Sequence, residues 1–227
     1  MRSSVLHIVV AAGSGSRFGA EVPKQFCYLN GLPVLMHTVN ALRRCDDGDI
    51  VVVLSDSMVT YWKELCDKHG FDTPDIVIGG ASRWRSVRNA IECKGKNAEI
   101  ISVHDGARPL LSQNLITRLI SEVRAGHDAM IPVIPVTDSI RRVDVSGENV
   151  AVDRKSYFAV QTPQVFDGKM LRKAYSKPES PLFTDDASVV ESIGVKVTLT
   201  EGEPTNIKIT HPLDLAIAEA ILNNIMK

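Results

Sequence analysis

Short runs of β-branched and other apolar residues alternate with longer amphipathic segments between residue 5 and residue 136 of this chain. The apolar runs predict strands at 5–11, 50–54, 75–78, 99–103 and 129–133, and the segments between them predict helices at 34–44, 57–69, 82–92 and 113–125. Strands that alternate with helices favour the α/β class, with a mostly parallel sheet and helices on both faces. Ligands of such folds bind at the carboxyl ends of the strands, so residues that directly follow a strand are the first site candidates.

The alternation stops near residue 137. Residues 137–154 read as two short strands joined at Ser146-Gly147-Glu148-Asn149, which is a β-hairpin signal. The hairpin has little apolar area with which to pack on the core, and an isolated hairpin is marginal in water. We therefore expect this arm to pack on a second copy of the chain in a homodimer. A simple surface hairpin is the alternative.

The remaining pattern predicts helices at 168–175, 186–192 and 212–225 and strands at 195–200 and 206–209. The sequence contains no internal repeat, low-complexity tract or linker. It therefore predicts one α/β domain, residues 1–227, that carries the arm at 137–154.

Composition limits the function classes. The 227 residues are 44% hydrophobic and 23% charged, as in an ordinary globular enzyme. A net charge of −1 gives no bulk attraction to nucleic acid or to anionic membranes, and we expect neither as a partner. The four cysteines have neither a CxxC pair nor metal-ligand spacing, which favours reduced thiols in a cytoplasmic protein. The apolar run at 5–12 is too short for a signal peptide or a membrane span and is interpreted as the first strand.

A glycine-rich segment, AAGSGSRFG at residues 11–19, directly follows the first predicted strand. Glycines let backbone N–H groups approach phosphate oxygens closely, so the segment is a candidate phosphate loop, with a plain tight turn as the alternative. Its GxGxxxG spacing matches neither a Walker loop nor the dinucleotide fingerprint. Arg17 and Lys24 on the same loop favour a polyphosphate site, because cations that bracket a polyphosphate stabilise phosphoryl transfer.

An acidic residue follows another predicted strand, in VHDGARP at residues 103–109. Asp105 is a candidate Mg²⁺ ligand, because magnesium is usually held by one or two carboxylates together with substrate phosphates. Arg108 is expected to bind a phosphate or to pair with Asp105. His104 is interpreted as a satisfied core histidine, and hydrolase chemistry is excluded because no Ser-His-Asp spacing can be defended.

A second strand-to-helix junction with glycines is GGASRWRSV at residues 79–87. Ser82 predicts a helix N-cap. Arg83 and Ser86 are candidates for contacting a base or a ribose, and Trp84 is expected to contribute only to the core.

Two features of the C-terminal half concern charge. Lys208 lies within an apolar alternation, where a charge is costly unless it meets an anion. Thr184-Asp185-Asp186 is interpreted as a helix cap with N-terminal acids rather than as a catalytic group.

Seven segments in order along the chain resemble the 2-C-methyl-D-erythritol 4-phosphate cytidylyltransferase family of the non-mevalonate isoprenoid pathway: AAGSGSRFGAEVPKQF, GGASRWRSV, VHDGARP, VTDSI, QTPQVF, TDDASVVE and NIKITHPLDL. The resemblance implies a Rossmann-like nucleotidyltransferase fold with a β-arm that interlocks two subunits. It implies a reaction in which CTP and 2-C-methyl-D-erythritol 4-phosphate give 4-diphosphocytidyl-2-C-methyl-D-erythritol and pyrophosphate. The implied cofactor is Mg²⁺ or another divalent cation.

The resemblance also implies catalytic roles. Arg17 and Lys24 match the pair that stabilises charge on the α-phosphate of CTP as it is attacked. Arg154 and Lys208 match the residues that position the methylerythritol phosphate. The arm near Arg154 is expected to reach the site of the partner subunit.

The remaining implied roles concern binding. Asp105 matches the acid at the metal and sugar-phosphate site, with Arg108, Thr137 and Thr162 nearby. The residues matched to nucleotide binding are Ala11, Ala12, Gly13, Gly15, Gly80, Arg83 and Ser86. One departure is Gly106, where the family more often has alanine; this change is not expected to remove function.

Three other functions stay open at this point. Ribitol 5-phosphate cytidylyltransferase shares the glycine loop, and its substrate is also a polyol phosphate. A nucleotide-binding regulator would keep the loop and catalyse nothing, although retention of all the cations disfavours it. A dinucleotide-dependent oxidoreductase is disfavoured by the glycine spacing.

Overall fold

The computed structural model describes residues 4–13, 22–44 and 48–225. Within these ranges, eight strands form one sheet. They are β1 (Val5–Val10), β4 (Asp49–Leu54), β5 (Asp75–Ile78), β6 (Ile100–Asp105), β7 (Ala129–Pro135), β10 (Phe158–Val160), β11 (Gln164–Asp167) and β12 (Thr198–Glu201). Two short antiparallel pairs lie outside this sheet: β2 (Tyr28–Leu29) with β3 (Leu32–Pro33), and β8 (Ile140–Val143) with β9 (Asn149–Val152).

The strand order of the main sheet is β10–β7–β11–β6–β1–β4–β5, with β12 also paired to β7. The pairs β1–β4, β1–β6, β4–β5 and β7–β12 are parallel, whereas the pairs that include β10 or β11 are antiparallel. The carboxyl ends of β1, β4, β5 and β6 therefore lie at one end of the sheet, where an α/β fold binds its ligands.

Helices cover both faces of the sheet. They are α1 (Val34–Arg43), α2 (Val59–His69), α3 (Arg83–Lys94), α4 (Gln113–Arg124), α5 (Gly168–Tyr175), α6 (Asp186–Glu191) and α7 (Pro212–Ile225). In β1, Val5 and Val9 belong to one core cluster, with side chains of α1, α2 and α4. Leu6 and Ile8 point to the opposite face and join side chains of α3, α5 and α6. Burial on both faces explains why β1 is an unbroken apolar run apart from His7.

The structure confirms the predicted α/β class, with a mostly parallel sheet flanked by helices. The predicted helices in the first two thirds of the chain all form, and their ends differ from the predictions by a few residues. None of the helices in the described ranges is long and apolar enough to cross a membrane.

The predicted strand at 206–209 is wrong, because no strand forms there. The carbonyl of Asn206 instead accepts hydrogen bonds from the side chains of Arg108 and Gln161, and Ile209 makes a single backbone bond to Ala107. The apolar alternation of this segment reflects Ile207 and Ile209 in a small cluster with side chains of α7.

Further differences also concern strands. The strand predicted at 195–200 begins later, as Thr198–Glu201. Four strands were not predicted from the sequence: the short pair β2 and β3, and β10 and β11 of the main sheet. β11 inserts between β6 and β7 and buries Val165 and Phe166, so it completes the core although its sequence has only two consecutive apolar residues.

The predicted arm forms a β-hairpin at the expected place. Its turn is closed by Asp144, whose carboxylate accepts hydrogen bonds from the backbone N–H groups of Ser146 and Glu148. Gly147 occupies the turn with φ of 87°, a conformation that favours glycine. Val143 and Val150 are 62% and 49% exposed, so apolar side chains of the arm face solvent in the single chain.

Candidate functional site

A cavity of about 550 Å³ opens at the carboxyl ends of the parallel strands. Its wall includes the segment after β1, the start of α3 after β5, and the last residue of β6. This is the end of the sheet at which the strand pattern predicts ligand binding, and the volume is in the range of small-molecule sites.

The cavity brings together residues that are distant in the sequence. The predicted residues of the first loop that line it are Ala11, Ala12, Gly13 and Lys24. The other predicted residues that line it are Gly80, Arg83, Ser86, Asp105 and Lys208. Arg17 and Gly15 lie outside the described residues.

Four predicted residues do not line this cavity: Arg108, Thr137, Arg154 and Thr162. Arg108 and Thr162 lie behind its wall and are buried. Thr137 and Arg154 are exposed at the two ends of the arm, where the Arg154 guanidinium donates a hydrogen bond to the Thr137 carbonyl.

Gln25 anchors the first loop of the cavity. Its side-chain amide donates hydrogen bonds to the carbonyls of Ala11, at 2.8 Å, and Gly13, at 3.1 Å. Gln25 is 4% exposed and directly follows Lys24, in the same 3-10 turn (Lys24–Phe26). No role was predicted for Gln25 from the sequence. Its position beside a candidate phosphate-binding lysine was the signal available.

The amino-terminal turn of α3 forms the second wall. Ser82 accepts a hydrogen bond from the backbone N–H of Arg85, which confirms the predicted N-cap. The Ser86 hydroxyl donates to the Ser82 carbonyl at 2.9 Å and accepts from the Gly80 N–H at 3.1 Å. The helix start adds partial positive charge at the cavity, which favours a bound anion.

Asp105 is the electrostatic centre of the cavity. Its carboxylate lies 2.8 Å from Nζ of Lys208, 3.4 Å from Nε of Arg108 and 3.9 Å from Nη2 of Arg83. Burial alone would raise the pKa of Asp105, but the charges of Lys208, Arg83 and Arg108 outweigh it and hold the pKa well below its usual range. Lys208 was expected to meet an anion, and Asp105 is that anion.

Arg108 fixes the segments behind the cavity. Its guanidinium donates to the carbonyl of Asn206 at 2.7 Å and to that of Val160 at 3.5 Å, in addition to its contact with Asp105. The predicted pairing of Arg108 with Asp105 is therefore present. The same side chain also ties the Lys208 segment to the end of β10.

His104 and Thr162 form a buried network under Asp105. His104 Nε2 lies 3.1 Å from the Arg108 carbonyl and Nδ1 lies 3.0 Å from the Thr162 hydroxyl. A carbonyl only accepts, so Nε2 carries the proton, and the Thr162 hydroxyl donates to Nδ1. Thr162 in turn accepts from the backbone N–H of Asp105 at 3.0 Å. Burial lowers the pKa of His104 to about 4, so it is a neutral core histidine, as predicted.

The acids at the start of α6 divide into two roles. Asp185 is the helix N-cap, which confirms the predicted cap, and its side chain accepts from the Ser188 N–H in a capping box. Asp186 is completely buried and pairs with Arg83 at 2.7 Å. Burial alone would lower the pKa of Arg83, but Asp186 and Asp105 raise it above its ordinary value. This pairing was not predicted from the sequence, because the two residues are far apart in the chain.

The candidate metal ligands are few. No group of three or more His, Cys, Asp or Glu side chains that could hold a metal ion occurs in the part of the chain that the structure describes. Among the described residues, Asp105 is the carboxylate that lines the cavity. A single carboxylate of this kind suits a cation that takes most of its ligands from substrate and water.

Known proteins match the chain over nearly its whole length. The family model described as 2-C-methyl-D-erythritol 4-phosphate cytidylyltransferase matches residues 5–224. A protein of that name from Bacteroides fragilis is 45% identical over 217 residues, which cover 95% of this chain and 98% of the relative. The crystal structure of 4-diphosphocytidyl-2C-methyl-D-erythritol synthase from Anaerococcus prevotii has a TM-score of 0.81 and 26% identity, and the match covers 97% of this chain and 96% of that one. The crystal structure of 2-C-methyl-D-erythritol 4-phosphate cytidylyltransferase from Thermus thermophilus has a TM-score of 0.73 and 31% identity, and the match covers 98% of this chain and 100% of that one. The chain therefore belongs to the 2-C-methyl-D-erythritol 4-phosphate cytidylyltransferase family.

Proposed function

We propose that this protein transfers the cytidylyl group of CTP to 2-C-methyl-D-erythritol 4-phosphate and releases pyrophosphate. The observation that carries the proposal is the cavity itself, in which Lys24, Arg83 and Lys208 converge from three segments beside the start of the glycine loop. Cations that surround an anion-binding cavity are what phosphoryl transfer requires. Membership of the family and the names of the relatives support this substrate pair over ribitol 5-phosphate.

The proposed reaction is an in-line displacement. A phosphate oxygen of the methylerythritol phosphate bonds to the α-phosphorus of CTP, and the bond from that phosphorus to the oxygen of the β-phosphate breaks, so pyrophosphate leaves. The nucleophile is already an anion at neutral pH, so no general base is needed. Catalysis then comes from positioning and from stabilising negative charge.

Each proposed role belongs to a residue of the chain. Lys24, together with Arg17, stabilises charge on the α-phosphate. Lys208 and Arg154 position the methylerythritol phosphate. Lys208 already faces the Asp105 carboxylate at 2.8 Å. When a substrate phosphate binds, Lys208 would exchange one anionic partner for another, so binding would not require the desolvation of an unpaired ammonium group.

Mg²⁺ is the proposed cofactor, with Asp105 as its ligand from the chain. Oδ2 of Asp105 faces Lys208 and Arg108, whereas the nearest approach of Arg83 to Oδ1 is 3.9 Å. Oδ1 is thus the oxygen more available to a cation, and phosphate oxygens and water would complete the ligand set. A bound Mg²⁺ would neutralise part of the charge of the triphosphate.

A homodimer through the arm is also proposed. Thr137 and Arg154, which the family resemblance assigns to substrate binding, are exposed at the ends of the arm and do not line the cavity of their own chain. This arrangement supports the proposal that they serve the cavity of a partner subunit. Exposed valines on the arm supply apolar surface for such a contact.

The proposed location is the cytoplasm. Cys27, Cys66 and Cys93 are free thiols, which suits a reducing compartment. Nucleic acid is not proposed as a partner, because the net charge of the chain is −1.

The test is pyrophosphate release from CTP and Mg²⁺, with 2-C-methyl-D-erythritol 4-phosphate and ribitol 5-phosphate supplied in parallel. We expect release with the first substrate and none when a chelator removes the divalent cation. Pyrophosphate release with ribitol 5-phosphate alone would show that the protein is a ribitol 5-phosphate cytidylyltransferase instead. CTP binding without release from either substrate would favour the nucleotide-binding regulator.

A further inference from the structure

The Arg83 side chain lines the cavity, and a carboxylate buried behind the cavity wall holds it. Nη2 of Arg83 lies 2.7 Å from Oδ2 of Asp186. The Arg83 side chain is 31% exposed, whereas that of Asp186 is 0% exposed. A fully buried carboxylate is costly unless it is paired and hydrogen-bonded, so this pairing fixes one end of the guanidinium firmly.

Asp186 is not needed to cap its helix. Asp185 performs that role, with hydrogen bonds from the Ser188 N–H at 2.9 Å and from the side-chain amide of Gln164 at 2.8 Å. Asp186 is the first residue of α6, and its carboxylate points to the cavity wall formed by Arg83 instead. The capping requirement of α6 therefore does not explain the burial of Asp186.

Tyr175 fixes the second oxygen of the same carboxylate. Its hydroxyl donates to Oδ1 of Asp186 at 2.6 Å, and the residue is 2% exposed. The ring of Tyr175 stacks on that of Trp84, with centroids 5.6 Å apart and planes 23° apart. Trp84 directly follows Arg83, so α5 and α6 together hold the first turn of α3.

The alternative partner for Arg83 lies on the opposite side. Oδ1 of Asp105 is 3.9 Å from Nη2 of Arg83, and Asp105 already has Lys208 at 2.8 Å and Arg108 at 3.4 Å. Without the Asp186 charge, the guanidinium would move toward Asp105, the remaining nearby anion, because opposite charges attract strongly in a partly buried site. It would then compete with Lys208 and leave its place in the wall.

We propose that Asp186, oriented by the Tyr175 hydroxyl, is a positioning residue that keeps the Arg83 guanidinium in the cavity wall, where Arg83 binds CTP. This inference rests on the proposed function and adds two buried residues to its nucleotide site. Asp186 does not itself touch the nucleotide. It acts through Arg83 alone, so its effect disappears when Arg83 is removed.

The test measures the Kd of CTP by titration calorimetry, and kcat and KM by pyrophosphate release. Asp186→Asn keeps the shape of the side chain and removes its charge. We expect the Kd and KM for CTP to rise about tenfold, because a charge-assisted hydrogen bond is lost, while kcat at saturating CTP changes less than about threefold. Tyr175→Phe removes one hydroxyl and is expected to raise the Kd in the same direction by about threefold.

Asp185→Asn is the matched control, because it neutralises the neighbouring acid and asparagine remains a good N-cap. Its Kd for CTP is expected to equal that of the wild type even if its melting temperature falls. A second control compares Arg83→Ala with Arg83→Ala/Asp186→Asn, which are expected to have the same Kd within about twofold.

The outcomes separate this inference from the proposed function. A wild-type protein that neither binds CTP nor releases pyrophosphate overturns both. A wild-type protein that binds CTP, with an unchanged Kd in Asp186→Asn, overturns the inference alone. An equal rise in Asp185→Asn also overturns it, since a loosened α6 would then be the cause. If Asp186→Asn does not fold, Tyr175→Phe decides, and an unchanged Kd in that variant is the negative result.

Discussion

Single charged residues reach the cavity from segments that are distant in the chain. Lys24 comes from the turn that follows the glycine loop, Asp105 ends β6, and Lys208 belongs to an irregular segment before α7. At this scale the proposed chemistry depends on cations held in place before substrate arrives, which is the condition for electrostatic stabilisation of a transition state.

Lys24→Ala tests that dependence directly. We expect kcat to fall by about 10²–10⁵, by analogy with other cations that stabilise phosphoryl transfer. The measurement is pyrophosphate release at saturating substrates, with circular dichroism to verify the fold. Lys96→Ala, which removes an exposed lysine from the opposite end of the sheet, is the control and should retain full activity. A near-normal kcat in Lys24→Ala would show that Lys24 is not catalytic.

His104 gives the folded protein a defined pH dependence. Its pKa falls from an ordinary 6.5 to about 4 on burial, so between these values the unfolded chain binds a proton that the folded chain does not. Stability therefore decreases as the pH falls from about 6.5 to about 4, by roughly 3 kcal/mol from this group.

The measurement is the free energy of urea unfolding at several pH values between 7 and 4, for the wild type and for His104→Gln. The glutamine cannot titrate, and its amide can still donate to the Arg108 carbonyl. We expect the variant to lose less stability than the wild type over this range. Equal losses in the two proteins would contradict the assignment.

At the scale of elements, the junction between β5 and α3 is tightly packed at Gly79. A Cβ atom added to Gly79 would lie 2.7 Å from Cβ of Ala12 and 2.9 Å from the Ser86 hydroxyl oxygen. Gly79 thus lets the segment after β5 pass directly against the loop after β1. Two walls of the cavity depend on this contact.

Gly79→Ala is expected to destabilise the protein by about 1–3 kcal/mol, because an extra methyl group in a tight site forces neighbouring atoms to shift. The shift displaces Ala12 and Ser86 at the cavity, so the Kd for CTP should rise as well. Denaturant unfolding and CTP titration are the two measurements. An alanine variant with unchanged values for both would show that the junction is more compliant than its geometry indicates.

The elements that could be predicted from the sequence are those whose own residues carry the signal, either as an apolar pattern or as a capping residue. β1 is apolar on both faces and α3 starts at a capping serine, and both form where they were predicted. β11 could not be recognised, since its strand character comes from insertion between β6 and β7 rather than from its own short sequence. The strand predicted at 206–209 is wrong for the opposite reason. The segment does alternate apolar and polar residues, but side chains donate hydrogen bonds to the Asn206 carbonyl, so it is not available to a neighbouring strand.

The residues of the candidate site also fall into those that could be predicted from local sequence and those that could not. Loop residues such as Gly13 and Lys24 could be found because glycines and cations follow a strand in the sequence. Asp186 could not be found, because local sequence explains it fully as a helix start, and its partner Arg83 is supplied by a separate element. Pairings of this kind depend on tertiary packing and carry no local signature.

At the scale of the whole molecule, the arm makes a prediction about assembly. Static light scattering should give the mass of a dimer for the wild type. A variant in which residues 141–151 are replaced by a short Gly-Ser linker should be a monomer, because the exposed apolar side chains of the hairpin are removed. Its circular dichroism should still show a folded core, and its pyrophosphate release should be lost if the arm serves the partner's cavity. A monomeric wild type would contradict the proposed dimer.

The cavity wall draws on short segments that lie far apart in the chain, from Val10 at one end to Thr210 at the other. A molecule that bridges those residues binds the folded chain and has no equivalent site on the unfolded one. Its binding energy is thereby added to the stability of the whole fold, and CTP at one hundred times its Kd would raise the free energy of unfolding by about 2.7 kcal/mol. CTP therefore cross-links the segments of the cavity wall reversibly, and the melting temperature of the protein reports the fraction of sites that are occupied.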